Sequence, residues 1–369
     1  MNRETIDPVA LLGQAADVLR STLPATWQVT EQLQTRSGQV GSVQVSPPGL
    51  PGATFAGLLW PGGRQSAASV ARTAADAAPG HPAMVITAFA NPALRRACVT
   101  AGVGFVDLTG WVSMRDDAAG LFISHQGAAK APMRQLSGRG GPMKRLDGPG
   151  ASRVIRTLWD GDQPRGVRAL ADEAQVSPGT ASKVLAALAQ HGAVERGEGG
   201  EVTAVDHRLL VDRWTQDYGV FTSNPQVLWR LAPRGTHDAY AQLLRVFADQ
   251  GPAMGPVAVT GYMGAVTSLT GSVVPVIPHD LLAVYCADPD LLSETLRLRP
   301  ADPSRANVVL VRPKDPSLLP DHPGGPWPHS VHDAQVVADL MTMGGRHPEL
   351  AEQLLSEAAT EGARDDAAE

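Results

Sequence analysis

A short segment near the middle of the chain combines a helix start with small polar side chains. Ser177 can accept hydrogen bonds from free N–H groups, and Pro178 has no N–H to leave unpaired, so the pair is typical of the first turn of a helix. The next turn contains a glycine, two hydroxyl side chains and a lysine: Gly179, Thr180, Ser182 and Lys183. Such residues at the start of an exposed helix can reach base edges, while the first-turn N–H groups can bind a phosphate. The segment therefore predicts a DNA recognition helix.

Two predicted helices precede this segment. Val167, Leu170, Ala171 and Ala174 have the spacing of one buried helix face, and Ala171 is small enough for a second helix to cross close by. Residues 151–159 form a further helix, with apolar residues suited to complete a three-helix core. Together with the recognition segment, these helices predict a helix-turn-helix unit.

A β-hairpin is predicted directly after the recognition helix. Gly192 ends the helix, and short strands at 193–196 and 201–204 enclose a tip that contains Gly199 and Gly200. Arg196 at the base of this hairpin could contact a phosphate, although Glu195, Glu198 and Glu201 argue against binding of DNA by the hairpin as a whole. Helix, turn, helix and hairpin together predict a winged helix.

The charge of the chain is unevenly distributed. The net charge is −6, yet residues 130–170 carry nine Lys or Arg side chains against three Asp. A local basic region can displace counterions from DNA, but a solvated linker has the same composition. We expect phosphate contacts from two groups of cations: Arg165, Arg168 and Arg196 near the predicted helices, and Arg139, Lys144, Arg145 and Arg153 in or near the linker.

Length and composition predict a multi-domain α/β protein. A chain of 369 residues exceeds the usual single core, and alternating helices and strands flank the central unit. A helix that starts at Pro92 with Asn91 as its cap is among the clearest elements of the first part, whereas residues 225–247 are predicted to be mostly helical. Five segments follow: an α/β domain at 1–126, a basic Gly/Pro-rich linker at 127–150, the winged helix at 151–221, a second α/β domain at 222–345, and a helix with an acidic disordered tail at 346–369.

Cysteine content and hydropathy favour the cytoplasm. Two cysteines, Cys98 and Cys286, cannot form a disulfide framework, and this fits a reducing compartment. The first residues do not have the pattern of a secretion signal, and no run of 18 apolar residues exists. We therefore expect a cytoplasmic protein without a membrane segment.

At these residues the sequence resembles the winged-helix transcription regulators grouped with the AbiEi-type antitoxins of type IV toxin–antitoxin systems. Residues 101–114 (AGVGFVDLTGWVSM) are similar to a G-x-G-[YF]-x-D-L-T-G-N element of that group, with Trp111 in place of the usual Asn. Trp214, Asp217, Tyr218 and Phe221 resemble its W-x-x-D-Y-x-x-F segment, and residues 259–266, 281–289 and 306–313 resemble its C-terminal domain. The resemblance implies a degenerate restriction-endonuclease-like first domain, an antitoxin-like last domain and control of a neighbouring operon.

Three chemical alternatives are weaker. A metal-dependent nuclease needs paired carboxylates and a lysine, but no lysine precedes Lys130, so Asp107 is predicted to be a structural cap. The glycines Gly261 and Gly264 could form a phosphate-binding turn of a nucleotidyltransferase, although no D-x-D pair lies on a strand beside them. A histidine cluster has no spacing typical of a closed metal site: Asp321, His322, His329, His332 and Asp333.

The sequence thus predicts a non-enzymatic, sequence-specific DNA-binding regulator. We expect it to bind double-stranded DNA as a homodimer on an inverted repeat and to need no cofactor or metal. Specificity is assigned to Thr180, Ser182 and Lys183. The alternative is an antitoxin, a protein-interaction module that neutralises a nucleotidyltransferase-like toxin through its C-terminal domain.

Overall fold

The chain is a mixed α/β protein that divides into two compact units. The computed structural model describes residues 7–33, 40–60, 65–77, 80–128, 145–161, 163–197, 199–250, 255–268, 275–320 and 329–365. Residues 1–142 and 186–209 form unit 1, and residues 143–185 and 210–369 form unit 2. The division falls between Leu185 and Ala186, inside the helix that contains the predicted recognition segment. The unit boundaries therefore differ from the segment boundaries expected from the sequence.

Unit 1 contains a seven-stranded sheet whose strands are in chain order. The first three strands and the last three pair antiparallel, whereas β3, β4 and β5 pair parallel. The strands are β1 (Gln28–Leu33), β2 (Val40–Ser46), β3 (Ala53–Trp60), β4 (Ala83–Thr87), β5 (Gly104–Asp107), β6 (Val112–Asp116) and β7 (Leu121–His125).

Helices cover both faces of this sheet. Helix α1 (Pro8–Thr22) packs its apolar side on one face, and α2 (Ala67–Asp76) and α3 (Pro92–Thr100) pack on the other. The predicted start of α3 is confirmed, because the Asn91 side chain accepts a hydrogen bond of 2.8 Å from the Leu94 N–H and Pro92 is the first helical residue. Capping and apolar periodicity thus predicted this part of the fold well.

Three helices and a hairpin occupy the middle of the chain: α4 (Pro149–Trp159), α5 (Val167–Glu173), α6 (Pro178–His191), and the strands β8 (Val194–Arg196) and β9 (Val202–Val205). Gly192 ends α6 with a φ of +83°, and a Cβ added there would lie 2.4 Å from that of Ala93 in α3. An ion pair of 2.8 Å between Arg96 and Asp206 joins the same parts of unit 1. The chain before and after the hairpin is therefore held against α3, and any larger residue at position 192 would separate them.

Unit 2 is built on a five-stranded mixed sheet in the order β11-β12-β14-β10-β13. Among these five strands, β12 and β14 pair parallel and the other neighbours pair antiparallel. The strands are β10 (Gln226–Leu231), β11 (Val257–Thr260), β12 (Leu282–Cys286), β13 (Arg299–Pro300) and β14 (Val308–Arg312). The prediction of a mostly helical 225–247 segment is wrong in its first part, because residues 226–231 pair with a strand on each side, which the local sequence does not indicate.

Helices of unit 2 form two groups. Side chains of α8 (Thr236–Gln250) and α10 (Pro289–Thr295) pack in the sheet's apolar core. Helices α9 (Gly261–Ser268), α11 (Asp333–Met343) and α12 (His347–Asp365) pack on one another, and α4 packs against α11. Helix α7 (His207–Thr215) follows the hairpin and starts in unit 1.

No helix in the described part of the chain has the length and apolar character needed to cross a membrane.

Candidate nucleic-acid interface

The turn between α5 and α6 forms as the sequence predicts. Gln175 adopts a φ of +51°, and the Val176 N–H donates to the carbonyl of Ala171 at 2.9 Å, which reverses the chain after α5. The Ser177 hydroxyl then accepts a hydrogen bond of 3.1 Å from the Thr180 N–H. Ser177 is therefore the N-cap of α6, and this cap fixes where the helix begins.

The first turns of α6 present a polar surface to solvent. Ser177, Gly179 and Lys183 are exposed, and Thr180 and Ser182 are half-buried. The opposite side of the helix is buried through apolar residues: Ala181, Val184, Leu185, Ala187 and Leu188. Nothing but the Ser177 Oγ, at 3.8 Å, lies near the position of a Cβ on Gly179. The space beside the Gly179 backbone is therefore open.

The cations assigned to phosphate contacts have different surroundings. Arg168 and Lys183 are exposed and form no ion pair with the described residues. Arg165 donates to the Thr157 carbonyl at 2.9 Å and pairs with Glu173 at 3.2 Å. Positive charge beside α6 thus comes mainly from Arg168 and Lys183.

The linker cations are described only in part. Arg145 is exposed and pairs with Asp147 at 3.2 Å. Arg139 and Lys144 lie outside the described residues.

Arg153 of α4 is bound within unit 2. Its Nε and Nη2 atoms donate to Asp315 at 3.1 and 2.9 Å, and Arg156 donates to the same carboxylate at 2.7 Å. Only 4% of the Asp315 side chain is exposed. Burial alone would raise the pKa of Asp315, but hydrogen bonds from Arg153, Arg156 and Ser317 outweigh it and lower the pKa to about 2. The expected phosphate contact of Arg153 would compete with this pair, so its position favours a role inside the protein.

This ion cluster continues into a buried polar network. Arg156 also donates to the Gln335 Oε1 at 3.3 Å, and the Gln335 Nε2 donates to Asp339 at 2.8 Å. Tyr218 and Thr260 each donate to Asp339 at 2.7 Å. Burial raises the pKa of Asp339 to about 6, although these three hydrogen bonds lower it. Donors from α11, β11 and the segment after α7 thus converge on one carboxylate, and a series of side chains links it to α4.

The anchored helix α4 also contacts the recognition segment. A Cβ added to Gly150, in the first turn of α4, would lie 3.2 Å from the Thr180 Cγ2 and 3.5 Å from the Val176 Cγ1. The start of α6 therefore rests on a helix that Asp315 holds in place. We call Arg153, Arg156 and Asp315 the α4 clamp.

Arg196 is engaged within the hairpin. Its Nε and Nη2 atoms donate to the Gly200 carbonyl at 2.9 and 2.6 Å. The guanidinium group therefore closes the turn at the tip, with Gly200 at a φ of +88°. The predicted phosphate contact of Arg196 would use donors other than the two that bind the Gly200 carbonyl.

Asp107 has the surroundings of a structural cap. It is fully buried and accepts hydrogen bonds from the Ala90 N–H, the Thr109 N–H and hydroxyl, and the Trp111 N–H, all within 3.0 Å. The Arg95 guanidinium lies 3.7 Å from the centre of the Trp111 ring, and burial lowers its pKa. Asp107 was expected to cap Thr109 and Gly110. Its carboxylate does bind Thr109, whereas the Gly110 N–H donates to the backbone carbonyl of Asp107 at 3.3 Å.

The described residues do not form the site of a nucleotidyltransferase or of a metal. Gly261 starts α9 with a φ of +61°, and Asp288 caps α10. His332 caps α11 and pairs with Asp160, while Asp321 and His322 lie outside the described residues. No group of three potential metal ligands occurs among the residues that the structure describes.

Comparison with protein-family models, curated proteins and solved structures finds no match to this chain.

The sequence did not predict the α4 clamp or the hydrogen-bond network around Asp339. Asp315 stands before Pro316 and Ser317, a pattern typical of a short helical cap, and it does cap that turn. Its arginine partners lie about 160 residues earlier, and no local pattern joins them.

Proposed function

We propose that this protein is a sequence-specific regulator that binds double-stranded DNA and has no catalytic activity. Helices α4, α5 and α6 and the hairpin β8–β9 would act as a winged helix, with the start of α6 in the major groove. The resemblance to AbiEi-type regulators supports the same role. Control of a neighbouring operon is the biological function that this proposal implies.

The exposed first turns of α6 carry the proposal. Ser177, Gly179 and Lys183 are open to solvent, although the other side of the helix is buried in apolar contacts. Hydroxyl and ammonium groups at this position can donate to guanine O6 and N7, and a first-turn N–H can bind a backbone phosphate. Arg168 supplies a further free cation on α5.

A homodimer on an inverted repeat is part of the proposal. Helix-turn-helix proteins place their two recognition helices about 34–36 Å apart, one turn of DNA. The binding site should therefore contain two half-sites separated by about 10 base pairs, centre to centre.

Selection of bound duplexes from a random pool tests this function with the full chain. We expect enrichment of one inverted-repeat sequence, and light scattering should give a dimer on that DNA. Lys183→Ala should weaken binding to the selected site by about 1–3 kcal/mol, while binding to scrambled DNA changes little.

Arg245→Ala is the matched control, because it removes the same charge from an exposed position on α8. Equal affinity of the wild type and Lys183→Ala for the selected site would remove α6 from the interface. A pool without any enriched sequence would contradict the proposed function and favour the antitoxin alternative.

A further inference from the structure

Four exposed arginines lie at one edge of the unit 2 sheet. Arg299 is in the edge strand β13, Arg297 is two residues earlier, and Arg234 and Arg305 are in the adjoining turns. We call Arg234, Arg297, Arg299 and Arg305 the arginine edge.

Backbone pairing brings these residues together although their positions in the chain differ by up to 71. Arg299 pairs with Leu231, three residues before Arg234. The Asn307 side chain accepts from the Ala232 N–H at 2.7 Å and donates to the Ala232 carbonyl at 3.0 Å. Arg305 and Arg234 each stand two residues from this junction, so the backbone positions of all four arginines lie in one part of the sheet edge.

The side chains of the arginine edge are unpaired within the described part of the chain. None of its four side chains has an ion-pair partner among the described residues, and Asp302 is the one acidic residue between positions 297 and 307. Six other arginines of unit 2 are paired with carboxylates: Arg145, Arg153, Arg156, Arg165, Arg213 and Arg346. Four more form no ion pair with the described residues, but they are spread over different elements: Arg168, Arg230, Arg245 and Arg312. A concentration of free guanidinium groups on a chain of net charge −6 is suited to bind an external polyanion.

Arg297 occupies a position where glycine would be more stable. It follows α10 with a φ of +50°, and its N–H and that of Leu298 donate to the carbonyls of Glu294 and Ser293, which is the usual C-terminal cap geometry. Any side chain is disfavoured in this conformation, because its Cβ crowds the backbone. The conformation is therefore strained for arginine, and glycine at this position would relieve the strain without loss of the turn.

We propose that the arginine edge is a second DNA-binding surface, which holds backbone phosphates of the duplex without reading its sequence. Arginine binds phosphate through two parallel N–H groups, and four such groups can follow consecutive phosphates along a strand. The inference rests on the proposed function, because it takes the polyanion to be the DNA that α6 binds. The arginine edge would add affinity for DNA that does not depend on the base sequence and that decreases as the salt concentration rises.

Fluorescence anisotropy of full-length protein with the selected duplex and a scrambled duplex, measured over a series of NaCl concentrations, tests this surface. The triple variant Arg234→Ala/Arg299→Ala/Arg305→Ala should bind both duplexes more weakly than the wild type, by the same factor. Its slope of log K against log salt should fall by about 0.9 for each phosphate that the variant no longer binds. A control with three other arginines replaced, Arg72→Ala/Arg115→Ala/Arg245→Ala, should keep the wild-type slope.

Arg297→Gly separates binding from folding. This variant should unfold at the same or a higher denaturant concentration than the wild type, yet bind both duplexes more weakly. The proposal would be overturned if the triple variant had the wild-type slope of log K against log salt. If the variant also precipitated, the arginines would be assigned to protection of the sheet edge against aggregation. Loss of binding to poly-glutamate but not to DNA would assign them to an acidic protein, which also overturns it. Because Lys183→Ala tests α6 on its own, the two proposals can fail separately.

Discussion

The α4 clamp makes a prediction about stability that can be worked from its geometry. Asp315→Ala leaves the Arg153 and Arg156 guanidinium groups without their shared carboxylate, and 9% of the Arg156 side chain is exposed. Removal of one partner from a buried ion pair costs about 3–5 kcal/mol, because the remaining charge stays desolvated. We expect the free energy of unfolding to fall by this amount at pH 7.

The lowered pKa of Asp315 gives a second value for the stabilisation free energy and predicts how it depends on pH. A decrease from 3.8 to about 2 corresponds to roughly 2–3 kcal/mol of stabilisation by the ionised carboxylate. Because the folded pKa is below the unfolded one, this stability is present above pH 3.8 and is lost as the pH falls toward 2. The difference between the wild type and Asp315→Asn should shrink in that range.

Urea unfolding followed by tryptophan fluorescence measures both effects, and DNA binding well below the unfolding midpoint shows whether α6 is still positioned. Asp147→Ala is the matched control, since Asp147 pairs with the exposed Arg145 and Lys314 and its loss should cost no more than about 1 kcal/mol. If Asp315→Ala were as stable as Asp147→Ala, or if its loss of stability were the same at pH 2 and pH 7, the clamp would not hold α4 as argued.

Three further predictions concern other buried or strained groups. The pKa of Asp339 is raised to about 6 in the folded protein, so the stability contributed by its protonated form is present below pH 3.8 and is lost as the pH rises through 6. The loss amounts to about 3 kcal/mol. Urea unfolding between pH 4 and pH 8 should show this decrease for the wild type but not for Asp339→Asn. Gln175→Gly should raise the thermal midpoint by the equivalent of about 1 kcal/mol, because the exposed Gln175 has a positive φ; a lower midpoint would contradict this. Asp107→Ala should cost about 3 kcal/mol or more in urea unfolding, because buried N–H groups lose their acceptor, and an unchanged midpoint would show that Asp107 is no cap.

Local signals in the sequence predicted the elements around α6 well. Ser177 with Pro178 marks the start of α6 and Gly192 its end, because capping chemistry acts within one turn. The cap at Asn91 was found for the same reason. Apolar spacing also indicated the buried side of α5, where Leu170, Ala171 and Ala174 are buried.

Long-range pairing explains what the sequence did not predict. Residues 226–231 resemble a helix locally, but neighbours at 299–300 and 308–312 make them a strand. Arg153 was assigned to a phosphate because the nearby chain is basic, whereas its carboxylate partner is 162 positions away. Such pairings depend on how distant segments of unit 2 fold together, and periodicity carries no information about that.

The way α4 is anchored has a practical consequence for cutting the chain into fragments. A piece that spans residues 151–221 would look like a complete winged helix, but it would leave behind Asp315, Gln335 and Asp339. Two arginines and the Tyr218 hydroxyl would then face water where they had carboxylate neighbours. Such an excised piece should be unstable, so work on the recognition surface calls for the intact polypeptide.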